Sequence, residues 1–115
     1  MVNRAVLSKP VGLQRRSEFV RVQKSGQRFK QHHMVLLKAS GASGVARTGF
    51  TVSRKVGNAV VRNQVRRRLR EIVRTHPDSL CKGSDYVVVA YQAAAHASFA
   101  TLQKELLCLL NRARG

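Results

Sequence analysis

The stretch from Arg54 to Arg74 constrains this chain most, because it combines a helical apolar repeat with a dense run of cations. It reads RKVGNAVVRNQVRRRLREIVR and contains eight cations and one carboxylate, that of Glu71. Apolar side chains recur every three or four residues, which predicts the buried stripe of an amphipathic helix. The stripe consists of Val61, Val65, Leu69, Ile72 and Val73. We predict a helix over about 58–75, ended by Pro77 and packed on a core through one side.

The other side of this predicted helix is mostly arginine. A charge run is most often a solvated face, but solvated faces usually mix the two signs. Like charges four residues apart, such as Arg62 and Arg66, weaken an isolated helix by a few tenths of a kcal/mol per pair. A polyanionic partner would relieve that repulsion, so this face indicates nucleic-acid binding. The face holds Asn63, Arg66, Arg67, Arg70 and Arg74, with Arg62 and Arg68 on its two edges.

The charge of the whole chain supports the same interpretation. The sequence has 22 Lys and Arg against 5 Asp and Glu, which gives +17 on 115 residues. Such a balance is typical of nucleic-acid-binding proteins. The length predicts a single domain, 1–115, with a modest core, and this domain would be the nucleic-acid-binding unit. Residues 1–13 lack the apolar segment of a secretory signal and the chain has no membrane-spanning apolar run, so we expect a cytoplasmic protein without a membrane partner.

The remaining segments predict an α+β fold. Residues 1–16 read as an irregular basic arm, and a short helix follows from an N-cap at Ser17 to a stop at Gly26. Two β-rich runs, 32–40 and 45–53, are separated by glycine and serine and are interpreted as an antiparallel pair, with a further short strand around 28–30. Residues 85–91 form a strand with an apolar centre, and a closing amphipathic helix begins at about Ser98. The order α-β-β-β-α-β-α indicates a small, mostly antiparallel sheet packed with about three helices.

The central motif resembles the signature of the bacterial ribonuclease P protein subunit. It reads GFTVSRKVGNAVVRNQVRRRLRE, and the LQRRSEFVRVQKSG opening, the DYVVVA strand and the leucine-rich last helix agree with it. The resemblance spans about 13–112. It implies a fold like domain 2 of ribosomal protein S5. It also implies a monomeric subunit in a 1:1 complex with the catalytic RNA of ribonuclease P. This subunit would bind the 5′ leader of precursor tRNA and aid its removal. The catalytic centre would lie in the RNA, which would also bind most of the Mg²⁺.

The resemblance implies two RNA-contacting sets of residues. The cleft that holds the leader would include Phe19, Phe50, Arg15 and Arg16, with Phe29 as a plausible neighbour. Phe19 could equally pack beneath its own helix. Gln23 and Leu37 stand where many family members carry aromatics, so base stacking would be weaker here and leader binding would depend more on charge. The set on the basic helix and its entry consists of Arg54, Lys55, Asn58, Arg62, Asn63, Arg66, Arg67, Arg68 and Arg70. Asn58 could also be an N-cap, and the amide of Asn63 could bond either the turn or RNA.

We expect no catalytic or metal-binding residue in the protein itself. The five acidic residues are scattered, without the paired carboxylates that a metal-dependent nuclease needs. His32 and His33 are adjacent, and on a strand they would point to opposite faces. Two other classes stay open: a ribosomal or other structural RNA-binding protein, and a stand-alone nuclease.

Overall fold

The computed structural model describes residues 11–13, 15–41 and 44–114. Within them the chain forms five strands and three α-helices, with single 3₁₀ turns at Arg54–Val56, Pro77–Ser79 and Gln92–His96. The strands are β1 (Val11–Gly12), β2 (Gln27–Lys30), β3 (Met34–Ser40), β4 (Arg47–Val52) and β5 (Ser84–Ala90). The helices are α1 (Arg16–Ser25), α2 (Ala59–Thr75) and α3 (Phe99–Arg114). No helix in these ranges is both long and apolar enough to cross a bilayer.

The strands form one mixed sheet in the order β1-β4-β5-β3-β2. Strand β5 is central and pairs antiparallel with β3, from Met34↔Ala90 to Ser40↔Ser84. On its other side it pairs parallel with β4. The α+β class is confirmed, but the predicted pairing of 32–40 with 45–53 is wrong because β5 lies between them. A strand as apolar as β5 is stabilised by neighbours on both edges and cover on both faces.

Helices α2 and α3 cover one face of the sheet and α1 covers part of the other. Because side chains alternate along a strand, neighbouring residues enter different cores. Leu36 and Val88 pack with Leu69 and Ile72 of α2 in the larger core, which also takes the leucines of α3. The smaller cluster lies under α1 and contains Val22, Val35, Leu37 and Val87, with Phe19 packed against it.

The starts of the two long helices agree with the predictions. Asn58 caps α2, its side chain accepting a hydrogen bond from the Val61 N–H at 3.0 Å. Ser98 caps α3 by accepting from the Thr101 N–H at 3.1 Å. Each cap satisfies an N–H that has no partner within its helix.

The predicted start of α1 is wrong by two residues, because the N-cap is Arg15 and not Ser17. The helix begins at Arg16, so Ser17 lies inside it, and the Arg15 N–H donates to the Glu18 carboxylate at 3.2 Å. Glu18 sits in the first turn, where a carboxylate also interacts favourably with the helix dipole. The arm predicted for 1–16 lies largely outside the described residues. In its described part, Val11 and Gly12 form β1 beside β4, so that part is not irregular.

Candidate nucleic-acid interface

An open cleft of about 370 Å³ lies where α1, β1, β4 and α2 meet. It brings together aromatic rings and guanidinium groups from segments far apart in the sequence. Phe19 comes from α1, Phe50 from β4 and Arg66 from α2. The full lining is Gly12, Leu13, Phe19, Thr48, Gly49, Phe50, Arg66, Arg70, Val73 and Arg74.

Phe19 reaches this cleft because Gly49 has no side chain. A Cβ at position 49 would lie 2.5 Å from Cε1 and Cζ of the Phe19 ring and 3.3 Å from the Cβ of Leu13. The ring therefore lies directly against the backbone of β4. It is half-buried, packs on the smaller cluster and also lines the cleft, so it serves both roles weighed from the sequence.

The α2 side of the cleft is a row of three arginines. Arg66, Arg70 and Arg74 lie four residues apart and so follow one face of the helix. Arg74 forms an ion pair with Glu71 at 2.5 Å, which raises the pKa of Arg74 and lowers the pKa of Glu71. The amide of Asn63 accepts a hydrogen bond from Arg66 at 2.7 Å, so it orients this guanidinium. The sequence placed Arg74 on the basic face, but it was not among the predicted site residues.

Other predicted residues of α2 have contacts that orient them away from the cleft lining. Arg62 donates to the Gly57 carbonyl at 3.1 Å and thereby closes the start of the helix. Arg68 is half-buried and donates to the Ala97 carbonyl at 3.2 Å, on the side of α2 that faces α3. Arg67 is exposed. The cap Asn58 and the two residues of the preceding 3₁₀ turn, Arg54 and Lys55, are also exposed.

The predicted cleft residues divide in the same way. Phe19 and Phe50 line the cleft. Arg15 and Arg16 are exposed at the start of α1, one turn before Phe19, and do not line it. Phe29 lies in β2 and packs against the larger core, so it is not a neighbour of this cleft.

A network of charges that the sequence did not predict fixes α1 on the sheet. Asp85 in β5 is fully buried and binds Arg21 of α1 and Arg47 of β4, the latter through two bonds of 2.9 and 2.8 Å. Arg47 also contacts Glu18 at 2.5 Å. The hydrogen bonds that Arg47 donates to Asp85 and Glu18 outweigh burial and raise the pKa of Arg47. A buried carboxylate is stable only when it is paired, so this network holds α1 in place.

Four of the five carboxylates in the described part of the chain, all except the exposed Asp78, bind basic side chains of the protein. Besides Glu18, Glu71 and Asp85, Glu105 of α3 lies 2.5 Å from Nδ1 of His33 and accepts from the His33 N–H at 3.0 Å. Across 11–13, 15–41 and 44–114, no three His, Cys, Asp or Glu side chains are grouped so as to hold a metal ion. The interface therefore offers rings and positive charge to a ligand.

Comparison with known proteins finds related sequences over most of this chain. The family model for ribonuclease P matches residues 7–114. The ribonuclease P protein component of Desulfovibrio desulfuricans is 41% identical over 115 residues, covering 96% of this chain and 88% of that protein. That of Bartonella quintana is 40% identical, covering 84% of this chain and 78% of that protein.

Solved structures give the same match at the level of the fold. The RNase P protein from Staphylococcus aureus superposes with a TM-score of 0.84 at 28% identity, covering 92% of this chain and 97% of that one. The RNase P protein from Thermotoga maritima gives 0.80 at 32% identity, covering 87% of this chain and 94% of that one.

Proposed function

Because this chain belongs to the ribonuclease P protein family, we propose that it holds the 5′ leader of precursor tRNA beside the catalytic RNA. Membership makes the chain a component of a tRNA-processing ribonucleoprotein with an RNA partner. The finer assignment, to the leader and to particular side chains, is derived from the cleft.

The observation that carries this proposal is the convergence of two phenylalanines and an arginine row in one cleft. Single-stranded RNA is held by stacking of bases on aromatic rings and by cations along the backbone, and each stacked base contributes about 1–3 kcal/mol. Phe19 and Phe50 supply the rings. Arg66 and Arg70 are about 6 Å apart along the helix axis, which suits contact with successive phosphates of an extended strand.

The same helix is proposed to contact the catalytic RNA. The exposed cations Arg67, Arg54 and Lys55 lie outside the cleft lining and are free to take a second phosphate backbone. Neutralising phosphates of both RNAs on α2 and on the 3₁₀ turn before it lets two polyanions approach each other. The ribosomal alternative shares the charge of this chain, and no observation favours it.

We place the chemistry of leader removal in the RNA, with Mg²⁺ bound there. The support is the state of the protein carboxylates: Glu18, Glu71 and Asp85 bind arginines, and Glu105 binds His33. The fifth, Asp78, belongs to no group of three possible metal ligands within the described residues. Mg²⁺ is held by free carboxylate and phosphate oxygens, and RNA supplies the latter. A monomer in a 1:1 complex, in the cytoplasm where precursor tRNA is made, fits this role.

The test is the salt dependence of precursor tRNA binding by the holoenzyme. Replacing Arg66 and Arg70 by alanine should lower the log–log slope by about one to two units, since each lost phosphate contact removes close to one. The matched control replaces two exposed lysines outside the cleft lining, Lys82 and Lys104, by alanine.

The length of the leader separates this function from general RNA binding. The arginine variant should lose affinity for precursor tRNA with a full leader and little for substrate with the leader trimmed. An unchanged slope, or an equal loss with both substrates, would refute the leader assignment.

A further inference from the structure

We propose that the β2 edge of the sheet is a second RNA-binding surface, which takes the phosphate backbone of a double-helical segment of the catalytic RNA. The inference rests on the proposed function only for the identity of the RNA partner. We define the β2 edge as Lys24, Arg28, Lys30 and Arg112.

The β2 edge lies across the sheet from the cleft. Strand β2 is at one end of the order β1-β4-β5-β3-β2, and the cleft is built on β1 and β4 at the other. With strands about 4.8 Å apart, four spacings separate the outer strands by about 19 Å. An RNA segment on the β2 edge would therefore not compete with a strand in the cleft.

The four cations come from three elements. Lys24 lies in the last turn of α1, Arg28 and Lys30 belong to β2, and Arg112 lies in the last turn of α3, and all four are exposed. Arg112 donates to the Lys30 carbonyl at 3.2 Å, which places its guanidinium along the strand. Residues i and i+2 of a strand share a face and lie about 7 Å apart, so Arg28 and Lys30 can contact neighbouring phosphates.

Charge of one sign distinguishes this edge from a solvated surface. The residues of β2 and of the last turns of α1 and α3 include no Asp or Glu. An edge strand also presents backbone N–H groups that have no neighbouring strand. Clustered cations with additional N–H donors form a surface complementary to a polyanion.

The chemistry favours a double helix over a single strand. Binding of single strands uses open aromatic faces, and the phenylalanine and tyrosine rings near this edge are already packed or in contact with a cation. Phe29 packs into the larger core. Tyr91 is half-buried against the smaller cluster, with the Lys30 ammonium 5.9 Å from its ring centroid. The β2 edge therefore offers contacts to a backbone without a platform for bases.

The experiment measures binding of the full chain to the catalytic RNA in the absence of precursor tRNA. Lys24→Gln with Arg28→Gln should reduce the slope of log affinity against log salt by about 1.5 to 2, which corresponds to a loss of about 30-fold at 0.15 M salt. Arg28→Gln alone should give about half the change in slope. Lys82→Gln, which removes one exposed charge from another part of the surface, is its matched control and should leave affinity and slope unchanged.

Two further measurements separate the possible outcomes. Arg28→Lys should restore most of the slope, because it keeps the charge, and thermal unfolding should show the variants folded. Holoenzyme with the Lys24/Arg28 variant should still bind precursor tRNA more tightly when the leader is present. If holoenzyme with the unmodified protein shows no such leader dependence, the proposed function is refuted and not the second surface. Unchanged affinity and slope for the catalytic RNA would overturn the proposal of a second RNA-binding surface. The proposal would also be overturned if the variant lost binding only to anionic vesicles or to acidic proteins.

Discussion

The close approach of Phe19 to Gly49 gives the sharpest test of how this cleft is built. Gly49→Ala would place a Cβ 2.5 Å from two ring carbons of Phe19. Carbon atoms in ordinary contact are about 3.5–4.0 Å apart, so the ring must move by about 1 Å or more. Overpacking of this kind costs about 1–3 kcal/mol, and we expect the melting temperature to fall by about 4–12 °C.

The same movement should weaken leader binding, because the ring leaves the position from which it lines the cleft. Loss of one stacked base costs about 1–3 kcal/mol, so affinity for precursor tRNA should fall by about fivefold or more. Thermal unfolding and equilibrium binding with and without the leader measure the two effects. Gly44→Ala is the matched control, since a Cβ at position 44 would meet no atom within 4 Å and Gly44 does not line the cleft.

A double-mutant cycle tests the cause. Leucine at position 19 has no Cε1 or Cζ, so the stability cost of Gly49→Ala should shrink by more than half in a Phe19→Leu background. An equal cost in both backgrounds would show that contact with this ring is not the reason for glycine at position 49.

Three further predictions concern stability. Asp85→Asn should lower the free energy of unfolding in urea by about 1–3 kcal/mol, because Arg21 and Arg47 lose a charged acceptor while Arg47 keeps its pair with Glu18; a loss below about 1 kcal/mol would contradict the pairing. Asn58→Ala should cost about 1 kcal/mol and Asn58→Ser should restore it, with RNA affinity unchanged in the serine variant if the residue is only a cap. Tyr86→Phe should cost about 0.5–1.5 kcal/mol at neutral pH through loss of the bond from the Cys81 N–H. Burial raises the Tyr86 pKa from 10.0 to about 12, so stability present below pH 10 should be lost as pH rises through 12, and the phenylalanine variant should lack this component.

Local patterns predicted the elements better than their arrangement. The apolar period predicted α2 and α3, and the cap at Asn58 was read from the sequence as well, since both signals act within a few residues. Strand order depends on long-range pairing, and the glycine-rich loop between β3 and β4 favoured a hairpin that the structure does not contain. The apolar centre of β5 was correctly interpreted as covered on both faces, which is consistent with its central position.

The site was predicted in part for the same reason. Helical spacing placed Arg66 and Arg70 on one face, and the resemblance supplied Phe19 and Phe50, all of which line the cleft. The sequence could not show that Arg68 donates to the Ala97 carbonyl, because that contact depends on how α2 packs against the segment just before α3. Nor could an isolated Asp85 reveal two arginine partners brought to it by α1 and β4.

The charge network around Asp85 has a consequence for the thermodynamics of binding. It joins α1 to the two strands beneath it, so the wall that carries Phe19 is in position before any nucleic acid arrives. Pre-organisation of this kind reduces the conformational entropy lost on association. The flexible partner, a single strand of RNA, would then account for most of the ordering cost, and that cost should depend on how many leader nucleotides become immobile.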